Sequence, residues 1–153
     1  MNFITHVLPD LIARVLLVCM FLPSAWDKVA HWGEAMQQAS SAPVPCPACL
    51  LILGMLVEAV TAICIIIGWH DRLAAFILAG FCVVTAILYH PYWKFPGYWR
   101  NPGEGRQHFW DFYKNLGLAG GLGLLVISGG PAPLGYVLAH PFSSAPYAAA
   151  SQP

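Results

Sequence analysis

The distribution of apolar residues divides the chain into four long hydrophobic segments separated by polar or aromatic loops. The segments cover residues 11–26, 48–69, 73–89 and 116–127, and the last can continue past a Gly-Gly-Pro break to residue 138. A membrane-spanning helix needs about 20 mostly apolar residues, and the segments lack the alternation of a transmembrane strand. The pattern predicts an all-α integral membrane four-helix bundle with up-down-up-down topology in residues 1–140. Residues 141–153 are expected to form an irregular C-terminal tail.

Composition supports a membrane protein. The chain is 58% hydrophobic and only 9% charged, whereas soluble domains carry about 25% charged residues. The net charge is zero and there is no basic run, so membrane lipids are the expected partner and nucleic acid is not. The apolar stretch after Arg14 also resembles a short signal peptide, but an uncleaved first membrane helix is the favoured interpretation.

Lysine and arginine residues are distributed unequally between the two ends of the predicted bundle. The first loop is polar and then rich in proline, the second is only "HDR", and the third, "HPYWKFPGYWRNPGEGRQ", is rich in interface-favouring aromatic residues. The first and third loops share one face, with five basic residues on or near it, and only Arg72 lies clearly on the other. These five are Lys28, Lys94, Arg100, Arg106 and Lys114. The positive-inside rule predicts these two loops in the cytoplasm and both termini outside.

Polar side chains gather at the predicted cytoplasmic ends of the spans. The fourth span begins with His108, Asp111, Lys114 and Asn115, and the third ends at His90. Residues three or four apart share a helix face, so His108, Asp111 and Asn115 are expected to point one way. Lys114 is expected to pair with Asp111 and to face the bundle interior. The alternative is that Lys114, like Lys28 at the end of the first span, only extends its charged group to the membrane interface. His90 can likewise serve only to complete the hydrogen bonding at the end of its helix.

Two further charges, Arg14 and Glu58, lie deeper within predicted spans. They belong to neighbouring antiparallel helices, and charges inside a membrane usually pair. An Arg14–Glu58 ion pair is therefore a candidate polar site, although such a pair can also serve packing alone.

The first loop contains the motif Cys46-Pro47-Ala48-Cys49. Leu50 follows it instead of the histidine that attachment of a c-type haem requires, and zinc would need two further ligands. A redox pair would place the chain beside four-helix thiol–quinone enzymes of the DsbB or vitamin K epoxide reductase type. Those enzymes relay electrons through a second exposed cysteine pair, whereas the other three cysteines here lie in apolar segments as expected core residues. Incidental or locally structural thiols are favoured, because a stable disulfide is not expected on a cytoplasmic face.

Three stretches of the sequence resemble the DoxX family of small four-helix membrane proteins. They are "RVLLVCMFLPSAWDKVAHW", "GMLVEAVTAICIIIGWHDRLAAFIL" and "HFWDFYKNLGLAGGLGLLVISG", of which the third is the most specific. The resemblance covers roughly residues 8–130. The Cys-Pro-Ala-Cys motif in the extended first loop and the proline-ending tail depart from the family pattern.

The resemblance implies a small subunit of a respiratory or quinone-linked oxidoreductase complex in a bacterial inner membrane, which anchors a larger redox subunit or shapes a quinone-proximal pocket. The chain alone is expected to bind no cofactor and no metal. A quinone bound at an interface with a partner is compatible with the resemblance, and so is assembly into a homo- or hetero-oligomer. The alternatives are a thiol–quinone oxidoreductase using Cys46 and Cys49, a scaffold without a redox role, and a transporter, which the lack of an internal repeat disfavours. The candidate polar site residues are Arg14, Lys28, Glu58, His90, Asp111 and Lys114.

Overall fold

The computed structural model describes residues 3–100 and 103–127, and the regular secondary structure in these ranges is all helical. The helices are α1 (Phe3–Val18), α2 (Phe21–Ala30), α3 (Trp32–Ser41), α4 (Pro47–Ile67), α5 (Asp71–Tyr89) and α6 (Glu104–Ile127), with a short 3₁₀ helix at Tyr92–Lys94. The predicted all-α membrane bundle is confirmed. The predicted tail at 141–153 and the extension of the fourth span to residue 138 lie outside the described residues.

The first span consists of two helices, α1 and α2, because Pro23 interrupts it. Proline has no N–H to donate to the carbonyl of Cys19, four residues earlier, and its ring clashes with that carbonyl. The helix therefore breaks at Cys19 and Met20 and resumes where the N–H of Ser24 donates to the carbonyl of Met20, at 3.0 Å.

Helices α4 and α5 form a tight antiparallel pair. Pro47 occupies the first turn of α4, where a missing N–H is harmless, and Gly68 ends the helix in the left-handed conformation with φ 71°. The stretches Pro47–Ile67 and Asp71–Lys94 are both long and apolar enough to cross a membrane. The predicted second and third spans are therefore confirmed within about two residues, the usual uncertainty of helix ends.

The core lies where α1, α2, α4, α5 and α6 meet. Among its buried residues are Val18, Phe21, Ile65, Leu78, Cys82 and Leu122. Cys64 and Cys82 are buried as predicted, but Cys19 is exposed at the helix break, so its assignment to the core was wrong. Large apolar side chains such as Leu16 and Leu124 point outward, as expected for a surface that faces lipid.

Helix α3 was not predicted, because its sequence is polar and lies in the first loop. It follows α2 after a break at His31 and folds back against the first half of α4, where Ala35 and Ala39 pack on Leu51. The small alanine side chains allow close approach of the two helices.

The loop between α5 and α6 is a packed aromatic cluster. The ring of Tyr92 lies edge-on to those of Tyr98 and Phe109, at centroid distances of 4.9 and 5.2 Å. At the start of α6, a Cβ added to Gly105 would lie 2.6 Å from Cβ of Phe95, so only glycine fits this contact without movement. The cluster fixes the entry of α6 beside the end of α5.

Candidate functional site

Lys28 and Glu58 form an ion pair between α2 and α4. Nζ of Lys28 lies 2.9 Å from Oε1 and 2.8 Å from Oε2 of Glu58, and it also donates to Oγ of Ser24 at 2.5 Å. The Glu58 side chain is 6% exposed and that of Lys28 is 25% exposed. The carboxylate is thus neutralised by one lysine that reaches it from the polar end of the bundle.

Arg14 forms a separate buried ion pair at the opposite end. Its Nη1 lies 2.6 Å from Oδ2 of Asp71 and 3.1 Å from the carbonyl of Ile65, and its Nε lies 2.7 Å from Oδ2 of Asp10. The expected Arg14–Glu58 pair is therefore wrong. The contact with Ile65 shows why: Glu58 lies seven residues earlier on α4, or about 10 Å along the helix axis.

The Lys28–Glu58 pair lies in the wall of a partly open cavity of about 260 Å³ lined by residues of α2, α3, α4, α5 and α6. Its polar lining is contributed by Ser24, Lys28, Gln38, Glu58, Thr85, Tyr89, His90 and Asn115. Its apolar lining includes Met20, Phe21, Leu50, Leu51, Gly54 and Phe81. Three of the predicted polar site residues, Lys28, Glu58 and His90, are thus brought to one cavity, whereas Arg14, Asp111 and Lys114 are not among its lining residues.

His90 connects the cavity to the start of α6. Its Nδ1 lies 3.4 Å from Nδ1 of His108, whose ring stacks on Phe95 with centroids 4.9 Å apart. The polar ends of the third and fourth spans therefore meet, as the sequence predicts.

Lys114 pairs with Asp111, as predicted, but not in the interior. Nζ lies 3.0 Å from Oδ1 of Asp111, and the two side chains are 70% and 40% exposed. Asn115 reaches the cavity instead, while its amide donates to the carbonyl of Asp111 at 2.9 Å. Successive residues on a helix are rotated by about 100°, so Lys114 and Asn115 face different directions. The seven-residue spacing of His108 and Asn115 was the sequence signal for the inward face.

Cys46 and Cys49 form a disulfide at the start of α4, and both residues are exposed. The expectation that they would not form a stable disulfide is wrong for this state of the protein. The next two residues, Leu50 and Leu51, line the cavity. In residues 3–100 and 103–127, no three histidine, cysteine or acidic side chains are grouped so that they could hold a metal ion.

Comparison with known proteins identifies the family. The family model of DoxX matches residues 10–91, which include both ion pairs, the disulfide and the break in the first span. Two inner membrane proteins of Escherichia coli K12 are similar over 119 residues each: YphA at 30% identity, covering 78% of this chain and 81% of YphA, and YqjF at 32%, covering 78% and 82%. No solved structure matches the chain. The protein is thus a membrane protein that belongs to the DoxX family.

Proposed function

We propose that this protein is a small subunit of a quinone-linked oxidoreductase complex in a bacterial inner membrane, and that its cavity accepts the head group of a quinone. The observation that carries the proposal is the position of the Lys28–Glu58 ion pair, which lies in the wall of a cavity that also has apolar and aromatic lining residues. A buried ion pair is expensive to maintain in a membrane and is more often found at sites that handle protons or ligands than elsewhere.

The cavity has the chemistry that a quinone requires. A quinone ring is flat and apolar, with a carbonyl acceptor at each end. Phe21 and Phe81 offer aromatic surface for the ring, and the ring nitrogens of His90 and the amide of Asn115 offer donors for a carbonyl. The cavity's 260 Å³ is slightly below the roughly 300–1,000 Å³ typical of sites for whole drug-sized ligands, so it suits a head group whose isoprenoid tail stays in lipid.

The ion pair supplies charges suited to quinone reduction. Negative charge develops on the quinone oxygens as electrons arrive, and a preorganised ammonium group such as that of Lys28 stabilises it. Glu58 is positioned beside Lys28 and Ser24 to exchange a proton. The sequence contains no flavin or nucleotide-binding motif, so in this proposal a larger partner subunit supplies the electrons.

A second candidate function is thiol–quinone oxidoreduction, which the Cys46–Cys49 disulfide favours. In that reaction the dithiol gives two electrons and two protons to a quinone, which leaves the disulfide and a quinol. The exposure of both cysteines and the position of Leu50 and Leu51 in the cavity wall are compatible with it.

The proposal can be tested with the protein purified in mild detergent. We expect larger redox subunits to co-elute and to be identified by mass spectrometry, and an azidoquinone probe to label peptides of α2 and α4. The double variant Lys28→Met/Glu58→Met removes both charges with little change of volume and should lose the labelling. The matched control Lys94→Met/Glu104→Gln changes two exposed charges and should keep it. Recovery of the protein alone, without labelling, would contradict the proposal.

A further inference from the structure

Cys46 has an unusual backbone conformation. Its φ is 48° and its ψ is 69°, in the left-handed region, and in the described part of the chain His70 is the only other non-glycine residue with a positive φ. Left-handed backbone is unfavourable for a residue with a side chain, and a residue that precedes proline, as Cys46 precedes Pro47, is steered toward extended conformations. Cys46 is held to α4 by its covalent link to Cys49 and by its carbonyl, which accepts a hydrogen bond from the N–H of Leu50 at 3.2 Å, while its side chain makes no capping hydrogen bond.

A short connection that contains two prolines joins α3 to Cys46. Four residues, 42–45, connect α3 to Cys46, and two of them are Pro43 and Pro45. Proline fixes φ, so such a short connection transmits a change at Cys46 instead of absorbing it. Three residues of α3, namely Ala35, Gln38 and Ala39, line the cavity. Helix α3 therefore covers one side of the cavity like a lid, and its C-terminal end is attached to the disulfide through residues 42–45.

We propose that Cys46 and Cys49 are a thiol–disulfide exchange site whose redox state sets the position of the α3 lid over the cavity. A small dithiol is the chemical class of reductant: one thiolate attacks a sulfur of the disulfide, and the second thiol resolves the mixed disulfide. Cys46 and Cys49 gain two electrons and two protons, and the reductant leaves as a disulfide. Both cysteines are exposed and therefore accessible to it.

The released Cys46 relaxes to a negative φ, which moves residues 42–45 and loosens α3 from Leu51. The predicted orientation places this site in the cytoplasm, where disulfides are usually transient and serve redox sensing or catalysis. In that compartment the reduced protein is the resting state, and the reverse exchange closes the lid: a small disulfide accepts the two electrons and two protons of Cys46 and Cys49 and leaves as a dithiol. The inference rests on the proposed function only in that the cavity is taken as the site to which the lid controls access.

The test is hydrogen–deuterium exchange of the α3 amides in the full-length protein. Reduction of the wild type with a phosphine should accelerate exchange in residues 32–41 roughly tenfold or more, the scale expected when a left-handed residue is released. Cys46→Ser/Cys49→Ser should exchange fast with or without reductant. Cys46→Gly/Cys49→Ser should exchange slowly in both conditions, because glycine adopts positive φ without a side-chain penalty. The amides of α5 serve as an internal reference that stays unchanged.

Two results would overturn the inference. One is exchange in wild-type α3 that does not respond to reduction, and the other is a glycine variant as fast as the serine variant, which would show that the backbone of Cys46 does not control α3. The measurement requires no quinone. If exchange in α3 responds to reduction but the azidoquinone does not label the protein, the proposed function is refuted and the switch is not. If the azidoquinone labels the protein but exchange in α3 does not respond, the switch is refuted and the proposed function is not.

Discussion

Lys28 and Glu58 join the first and second spans through a contact of 2.8 Å between Nζ and Oε2, in which the carboxylate is almost fully buried and the ammonium is partly exposed. The break that Pro23 causes between α1 and α2 precedes this contact. It makes α2 a short separate helix, whose side chains Ser24 and Lys28 both reach Glu58. The same sequence feature that interrupts the span thus builds one wall of the cavity.

The first prediction concerns the asymmetry of this pair. Lys28→Met leaves the Glu58 carboxylate buried without its cation and should destabilise the protein by about 3–5 kcal/mol, whereas Lys28→Met/Glu58→Met should be near wild type. Thermal unfolding in detergent, followed by size-exclusion chromatography, measures both. If the double variant were as unstable as the single one, the pair would be needed for packing and not only for charge compensation.

The second prediction uses the two carboxylates that share Arg14. Asp71 is fully buried and Asp10 is 41% exposed, although each accepts a hydrogen bond of similar length from the guanidinium. Asp71→Asn should lower the unfolding free energy by about 3 kcal/mol or more, and Asp10→Asn by less than about 1 kcal/mol, because solvent screens the exposed pair. Equal losses in the two variants, measured by thermal unfolding in the same detergent, would show that burial does not decide the contribution.

The sequence predicted the second and third spans well because hydrophobic length largely sets them, whereas α6 begins at Glu104, twelve residues before the predicted start of the fourth span. The boundaries of α4 and α5 also carry local signals, namely Pro47 at the start of one and Gly68 before the other. The break in the first span was missed although Pro23 is visible, since proline in a membrane helix is often tolerated. Helix α3 was missed because its stability comes from contacts of Ala35 and Ala39 with α4, which no local pattern shows.

The sequence predicted which end of the bundle holds the polar site, but not all of the side chains that form it. The end of the bundle at which Lys28 and His90 lie follows from topology, and the structure brings both to the cavity. The choice of ion-pair partners depends on axial position and helix rotation. Arg14 therefore pairs with Asp71 instead of Glu58, and Asn115 faces inward instead of Lys114.

The third prediction is that Lys114→Met leaves stability almost unchanged. The side chain is 70% exposed, and pairs of this kind contribute less than about 1 kcal/mol. Unfolding midpoints of Lys114→Met and of the exposed loop variant Lys94→Met should agree. A large loss in Lys114→Met alone would show that Lys114 is buried by a partner subunit, which a comparison of the purified chain with its complex would resolve.

The fourth prediction concerns two glycines of α6. Gly105→Ala places a Cβ 2.6 Å from Cβ of Phe95 and 3.0 Å from Cβ of Tyr98, so the aromatic loop must move. Overpacking of this kind typically destabilises by about 1–3 kcal/mol. At Gly117 nothing lies within 4 Å of the added Cβ, and Gly117→Ala should stabilise the helix by roughly 0.5–1 kcal/mol. Thermal unfolding of the two variants should therefore shift in opposite directions, and a shift in the same direction would contradict the described contact.

The last prediction concerns orientation, on which the redox state of the disulfide depends. The first and third loops carry five basic residues on or near them, against Arg72 and the buried, ion-paired Arg14 at the opposite end, so we expect these loops in the cytoplasm. Single cysteines introduced at Lys94 and at Trp69, in a background with the native cysteines replaced, can be labelled in intact cells with an impermeant maleimide. Trp69→Cys should react and Lys94→Cys should react only after the cells are lysed. The reverse result would place Cys46 and Cys49 on the oxidising side of the membrane, where disulfides persist, and the thiol–quinone function would become the better explanation.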